Sequence, residues 1–201
     1  MRILFTGFVS LMLGLAFVSS SQALTRDVVG GQLLGASGVI VNGVSYDVQF
    51  LDGTCAALFS GCDADSDFDF PNQAVANAAA QALLDQVFLD VAAGMFDSDP
   101  SLTNGCTNTS NCTSHIPYSA PFQHVVALNY FPLSISPDQT GTNAVNPNND
   151  LTTVINWNFA KFTQSQVSPV PIPAIFPIFA AVMGLFGIVG WRRRRRAAAV
   201  A

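Results

Sequence analysis

With 201 residues, half of them apolar and a tenth charged, the chain has room for one domain plus targeting segments and lacks the make-up of a disordered acidic tail. All thirteen acidic residues are Asp and lie between Asp27 and Asp150; set against Arg26 and Lys161, they put the middle region at about −11, well beyond the whole-chain −5. A field of that sign repels DNA, RNA and anionic lipid and attracts cations, which argues against a nucleic-acid partner.

The first residues carry a secretory pattern. Met1-Arg2 is a short basic start, 3–18 is an apolar run, and Ser21 and Ala23 are the small residues a signal peptidase requires. These features predict a signal peptide over 1–23, cut between Ala23 and Leu24. An exported domain over 24–163 follows.

Its clearest local structure is at 38–52. Val39-Ile40-Val41 and the segment 44–50 flank Asn42-Gly43, the pair preferred in a type I′ hairpin turn. Val44, Tyr46, Val48 and Phe50 fall on one face and Ser45, Asp47 and Gln49 on the other, the pattern of a half-buried antiparallel hairpin.

Four cysteines follow in two local groups, Cys55 with Cys62 and Cys106 with Cys112. An even count in an exported chain predicts two disulfides; neighbour pairing is one of three connectivities and the favoured one. With no Cys-x-x-Cys and only two histidines, the residues argue against a zinc site. Asn104-Gly105 beside Cys106 fits a turn in a stapled loop.

Between the first two cysteines and the next element lie Asp63, Asp65, Asp67 and Asp69, at every second position. Alternating hard oxygens resemble the opening of a calcium loop, but the sixth position is Phe68 where that loop needs Gly, and the twelfth is Ala74 where it needs Glu. The two readings are an exposed acidic turn and a weak calcium site.

Asn72 after Pro71 is placed to cap a helix over 73–93, a stretch free of Gly and Pro and rich in Ala. Val75, Ala79, Leu83, Val87 and Val91 recur at i+4, Leu84 and Phe88 widen the stripe, and Gly94 is placed to end it. Strands are expected at 124–130 and 153–160, the second with Ile155, Trp157 and Phe159 on one face and Asn156 and Asn158 on the other. The stretch 132–150, full of Ser, Pro, Asn, Thr and Gly, is expected to be a loop. The fold class is therefore α+β: a small antiparallel β-sheet with one amphipathic helix, plus an N-terminal signal peptide and a C-terminal transmembrane helix.

The tail completes the topology. A linker over 164–169 leads to twenty uncharged residues at 172–191, about 30 Å long as a helix and matched to a hydrocarbon core. Arg192, Arg193, Arg194, Arg195 and Arg196 then form a stop-transfer cluster that stays in the cytoplasm and leaves the domain outside. Pro171 and Pro173 keep the stretch just before the span extended.

The order of Val170, Pro171, Ile172, Pro173 and Ala174, the apolar span and the Arg run resembles the tripartite tail of the PEP-CTERM sorting signals, nearest to the variant reading Val-Pro-Leu-Pro-Ala. The resemblance covers about 27 residues, 170–196, with Ile172 standing where the family has Glu or Leu. It implies processing near the Pro motif by an exosortase, an integral-membrane transpeptidase-like enzyme. It also implies a Gram-negative host, inner-membrane anchoring with the domain on the periplasmic side, and delivery to the cell surface or extracellular matrix. The run from Tyr46 to Cys55, with Gly61-Cys62-Asp63, is similar to ectodomains that precede such tails; that similarity implies no activity.

No catalytic constellation stands out. His115 and His124 are the only imidazoles and are expected in turns or at the surface; Gly35-Ala36-Ser37-Gly38 lacks the nucleophile-elbow spacing. The leading expectation is a non-enzymatic structural or biofilm-associated surface protein that is an exosortase substrate. The alternatives are a module binding calcium or extracellular polysaccharide, and a periplasmic hydrolase, which would need a pocket converging on His115 or His124.

Overall fold

The computed structural model describes residues 23–121, 123–134 and 136–165. The signal segment before Ala23, the linker beyond Ser165, the Val170–Ala174 motif, the span 172–191 and the Arg192–Arg196 cluster lie outside them. In chain order the elements are β1 (Thr25–Val29), β2 (Gln32–Val41), β3 (Val44–Leu51), α1 (Cys55–Leu58), α2 (Gln73–Ala82), β4 (Asp90–Val91), β5 (Gly94–Met95), β6 (Asn111–Ser119), β7 (Gln123–Tyr130), β8 (Gln139–Ala144) and β9 (Trp157–Gln164). Among the described residues no helix is long and apolar enough to cross a membrane.

The class is α+β, but the sheet is neither small nor wholly antiparallel. Seven strands run in the order β1-β2-β3-β9-β6-β7-β8. Two antiparallel meanders, β1-β2-β3 and β6-β7-β8, are joined by β9, which is antiparallel to β3 and parallel to β6. The expected hairpin is β2-β3. Asn42 and Gly43 both have positive φ, 49° and 82°, as a type I′ turn demands.

The other strands differ more from expectation. The last strand begins at Trp157, four residues later than expected, because Leu151–Thr153 form a 3-10 turn and the Ile155 carbonyl is taken by the Thr107 and Asn108 N–H groups. Ile155 consequently stands 63% exposed instead of sharing a face with Trp157 and Phe159. At its other end β9 reaches further: Gln164, assigned to the linker, pairs with Tyr46, and the Ser165 N–H donates to the Ser45 carbonyl. The expected loop 132–150 contains β8, a polar edge strand.

Helix α2 starts as expected, with Asn72 Oδ1 accepting the Val75 N–H at 3.1 Å. It stops far short of Ala93. After Ala82 the backbone widens into a π-turn over Leu83–Val87, closed by Phe88 N–H to the Leu83 carbonyl. Arg26 Nε donates to the Val87 carbonyl at 2.8 Å, supplying a cation at the carbonyl end of the helical segment. Gly94 does not cap the helix; it pairs with Val91 in a two-strand hairpin, and a side chain there would overlap the buried Phe96 ring.

Both sheet faces are covered. Along β9, Asn158, Ala160 and Phe162 alternate with Trp157, Phe159 and Lys161. Phe162 and Ala160 belong to the larger core with Leu33, Val48, Phe50, Ile116 and the apolar stripe of α2. Phe159 belongs to a second cluster on the opposite face, with Phe59, Phe68, Leu151, Cys55 of α1 and Cys62 just beyond it. Cys55 pairs with Cys62 and Cys106 with Cys112, the neighbour connectivity.

Candidate functional site

The second cluster holds the two histidines. His115 lies in the middle of β6, opposite Val126 of β7 and Phe159 of β9; His124, near the start of β7, lies opposite Pro117. Two-residue spacing across the β6-β7 ladder puts both rings on one face. Pro117 is accommodated because β6 pairs with β9 only through His115, so the missing N–H falls where that ladder has ended.

The expectation of turn or surface histidines is corrected: the two are 0% and 1% exposed. Their ring centroids are 5.7 Å apart; His115 packs on Trp157 at 4.8 Å and His124 on Phe159 at 5.7 Å. Among the described residues, neither ring nitrogen of either histidine has a hydrogen-bond partner. Burial pushes the His115 pKa down to about 3, with His124 adding repulsion, and burial pushes His124 down to about 4, so both are neutral near pH 7.

Against this face lies the short loop of the first disulfide. Thr54 Oγ1 accepts the Ala57 N–H and starts α1, which ends after one turn. Ser60, Gly61 and Cys62 then all have positive φ, reversing the chain so that the Cys62 sulfur meets Cys55. Among the described residues, one group of three metal-capable side chains gathers: the sulfurs of Cys55 and Cys62 and a ring nitrogen of His124, all within 4.8 Å of one another and all buried. The polar content of Asn111–Ser119 concealed this site in the sequence. The signal available there was the position of His115 and His124 on either side of Pro117, close enough for one hairpin.

The four alternating aspartates are engaged separately. Asp67 Oδ2 accepts the N–H groups of Asp63 and Ala64 at 3.1 Å each, and Asp65 Oδ1 accepts the Ala120 N–H at 2.8 Å. Desolvation raises the Asp69 pKa and nearby Lys161 pulls it back. Lys161 itself donates to the Leu58 carbonyl at 2.7 Å.

A third place was not foreseen. Asp97, Tyr130, Ser134, Ser136 and Asp138 line a surface pocket of about 450 Å3. Burial raises the pKa of Asp97 and Asp138, and Asp97 is raised further by the charges of Asp138 and Asp90. Asp90 is held low by its hydrogen bonds from Ser98. The pocket joins residues from the β5 side and from the segment between β7 and β8, a contact that no local pattern encodes. Neither histidine lines it.

No family model, curated protein or solved structure matches the chain.

Proposed function

We propose that the chain is an exported, membrane-anchored surface or extracellular-matrix protein, processed by signal peptidase and an exosortase, and that its outer domain is structural rather than enzymatic. The observation that carries this reading is where the disulfide-closed domain begins and ends. Leu24, the first residue after the expected cut, packs against the main core, and β1 begins at Thr25. The last described hydrogen bonds are made by Gln164 and Ser165, just upstream of the Val170–Ala174 motif. Both targeting segments can therefore be removed without taking a strand. Two disulfides suit an oxidising compartment. The burial of both histidines supports a non-enzymatic role, since a general base must reach a substrate proton.

The deciding measurement is the mass of the surface form in strains with and without the host's exosortase. A new N-terminus at Leu24 and loss of the Arg tail only when the exosortase is present support the proposal. The same full-length, Arg-tailed species in both strains refutes it. Replacing Pro171 and Pro173 with Ala should leave the protein inserted but unprocessed, because the helix can then extend through the motif.

A second reading, a polysaccharide-binding module on the cell surface, is supported by the Asp97–Asp138 pocket, where hydroxyls, carboxylates and Tyr130 converge. Glycan binding that Tyr130→Ala abolishes would favour it; calcium dependence of that binding would extend it to anionic polysaccharide held through the cation.

A further inference from the structure

Neither reading above gives the paired histidines and the disulfide beside them a chemical task. Buried polar atoms in native proteins are almost always partnered, and those that are not mark an ion, a water or chemistry. Here four ring nitrogens on two adjacent imidazoles have no partner among the described residues, and one on His124 lies within 4.8 Å of two cysteine sulfurs.

We propose that Cys55, Cys62 and His124 form a site for a thiophilic divalent cation of the zinc class, closed while the disulfide is intact and opened by its two-electron reduction. A dithiol reductant supplies the two electrons and two protons. The S–S bond breaks, Cys55 and Cys62 become thiols, and the reductant closes to its own disulfide. The incoming cation releases the two thiol protons to solvent, leaving two thiolates and one imidazole nitrogen as ligands.

The geometry suits this chemistry. Tetrahedral zinc with bonds of about 2.3 Å to sulfur holds two thiolates about 3.8 Å apart. The three ligand atoms already lie within 4.8 Å of one another. His124 would bind through a neutral imidazole nitrogen, the form in which histidine ligates metals. Sulfur and imidazole together select zinc-class ions over calcium or magnesium, so this site is chemically separate from the Asp63–Asp69 run. Ser60 is exposed at the tip of the disulfide loop, giving a reductant a place to enter when the loop opens.

The test uses the full chain purified in detergent, with a phosphine reductant and Co2+ or Zn2+ as probes. The expected result is no stoichiometric uptake by the oxidised protein. After reduction, one equivalent of Co2+ should bind with a sulfur-to-cobalt charge-transfer band, while the near-ultraviolet circular dichroism stays that of the folded protein. His124→Ala should weaken binding by at least about tenfold, the lower bound set by losing only an outer-sphere partner. Cys106→Ser with Cys112→Ser should leave binding unchanged. X-ray absorption of the zinc-loaded wild type, which needs no substitution, should read two sulfur and at least one imidazole scatterer. Absence of uptake after reduction, a metal shell without sulfur, or loss of binding in the Cys106/Cys112 variant would each overturn the site.

Discussion

Phe50, in β3, stacks on Phe88 at the end of the helical segment, with ring centroids 5.3 Å apart and planes 28° from parallel. Both rings are about 1% exposed. The contact anchors the end of the helical segment on the sheet through apolar burial. Phe88→Ala is expected to cost about 3–5 kcal/mol in urea unfolding. Leu89→Ala, at a side chain 41% exposed, should stay within about 0.5 kcal/mol.

The buried histidines set an acid limit. Their folded-state pKa values, about 3 and about 4, lie below the ordinary 6.5, so the unfolded chain takes up protons first as pH falls. Stability from this source is complete above about pH 6.5 and is lost progressively down to the folded values. At pH 5 the loss should be on the order of 2 kcal/mol per histidine. Urea midpoints measured from pH 7.5 to 4.5 should decline accordingly, and the paired substitution of His115 and His124 by Leu should flatten the decline.

Gly105→Ala should lower the melting temperature clearly. Gly105 has φ of 83°, and a Cβ there would sit 2.8 Å from the Asn158 Cβ. Asn158 is already held by donating to the Asn104 carbonyl, so it has little room to yield. Gly31→Ala, at a similar φ of 88° but with open space around it, should show the backbone strain alone and melt at a higher temperature than Gly105→Ala.

Alkylation of the native protein without reductant should modify none of the four cysteines, all of which are paired. Replacing Cys106 and Cys112 together by Ala should cost about 2–3 kcal/mol, the scale for closing a short loop. A midpoint unchanged by that double substitution would mean that the remaining contacts hold the loop without its bridge.

Asp97→Asn should raise stability slightly at neutral pH. Burial and the charges of Asp138 and Asp90 raise its pKa, so the ionised form opposes folding, and that cost grows as pH rises through the carboxylate range. The gain should shrink in high salt, because the pocket is open to solvent. Melting curves of the variant and wild type at pH 7, in low and high salt, measure both effects.

The parts of the fold read correctly from sequence are those whose cause is local. Asn42-Gly43 specifies its turn by backbone conformation, Asn72 caps a helix three residues on, and each disulfide joins cysteines six or seven positions apart. The errors have non-local causes. Val91 fits the helical period yet pairs with Gly94 in a hairpin, beyond the point where Phe88 packs on Phe50 and Arg26 bonds the Val87 carbonyl. Polar β8 and Pro-containing β6 become strands through ladder pairing with β7, which alternation alone does not reveal. The histidine site depends on β6, β7, β9 and the disulfide loop meeting, so neither histidine carries a recognisable neighbourhood in sequence.

The position of β9 bears on the order of events during synthesis. The strand that joins the two meanders is the last to be made, and its partners β3 and β6 have no ladder with each other. Until 157–164 emerge, the two halves of the sheet share no strand ladder and are spanned only by the core they form with α2. A protein built this way cannot finish folding before its far end arrives.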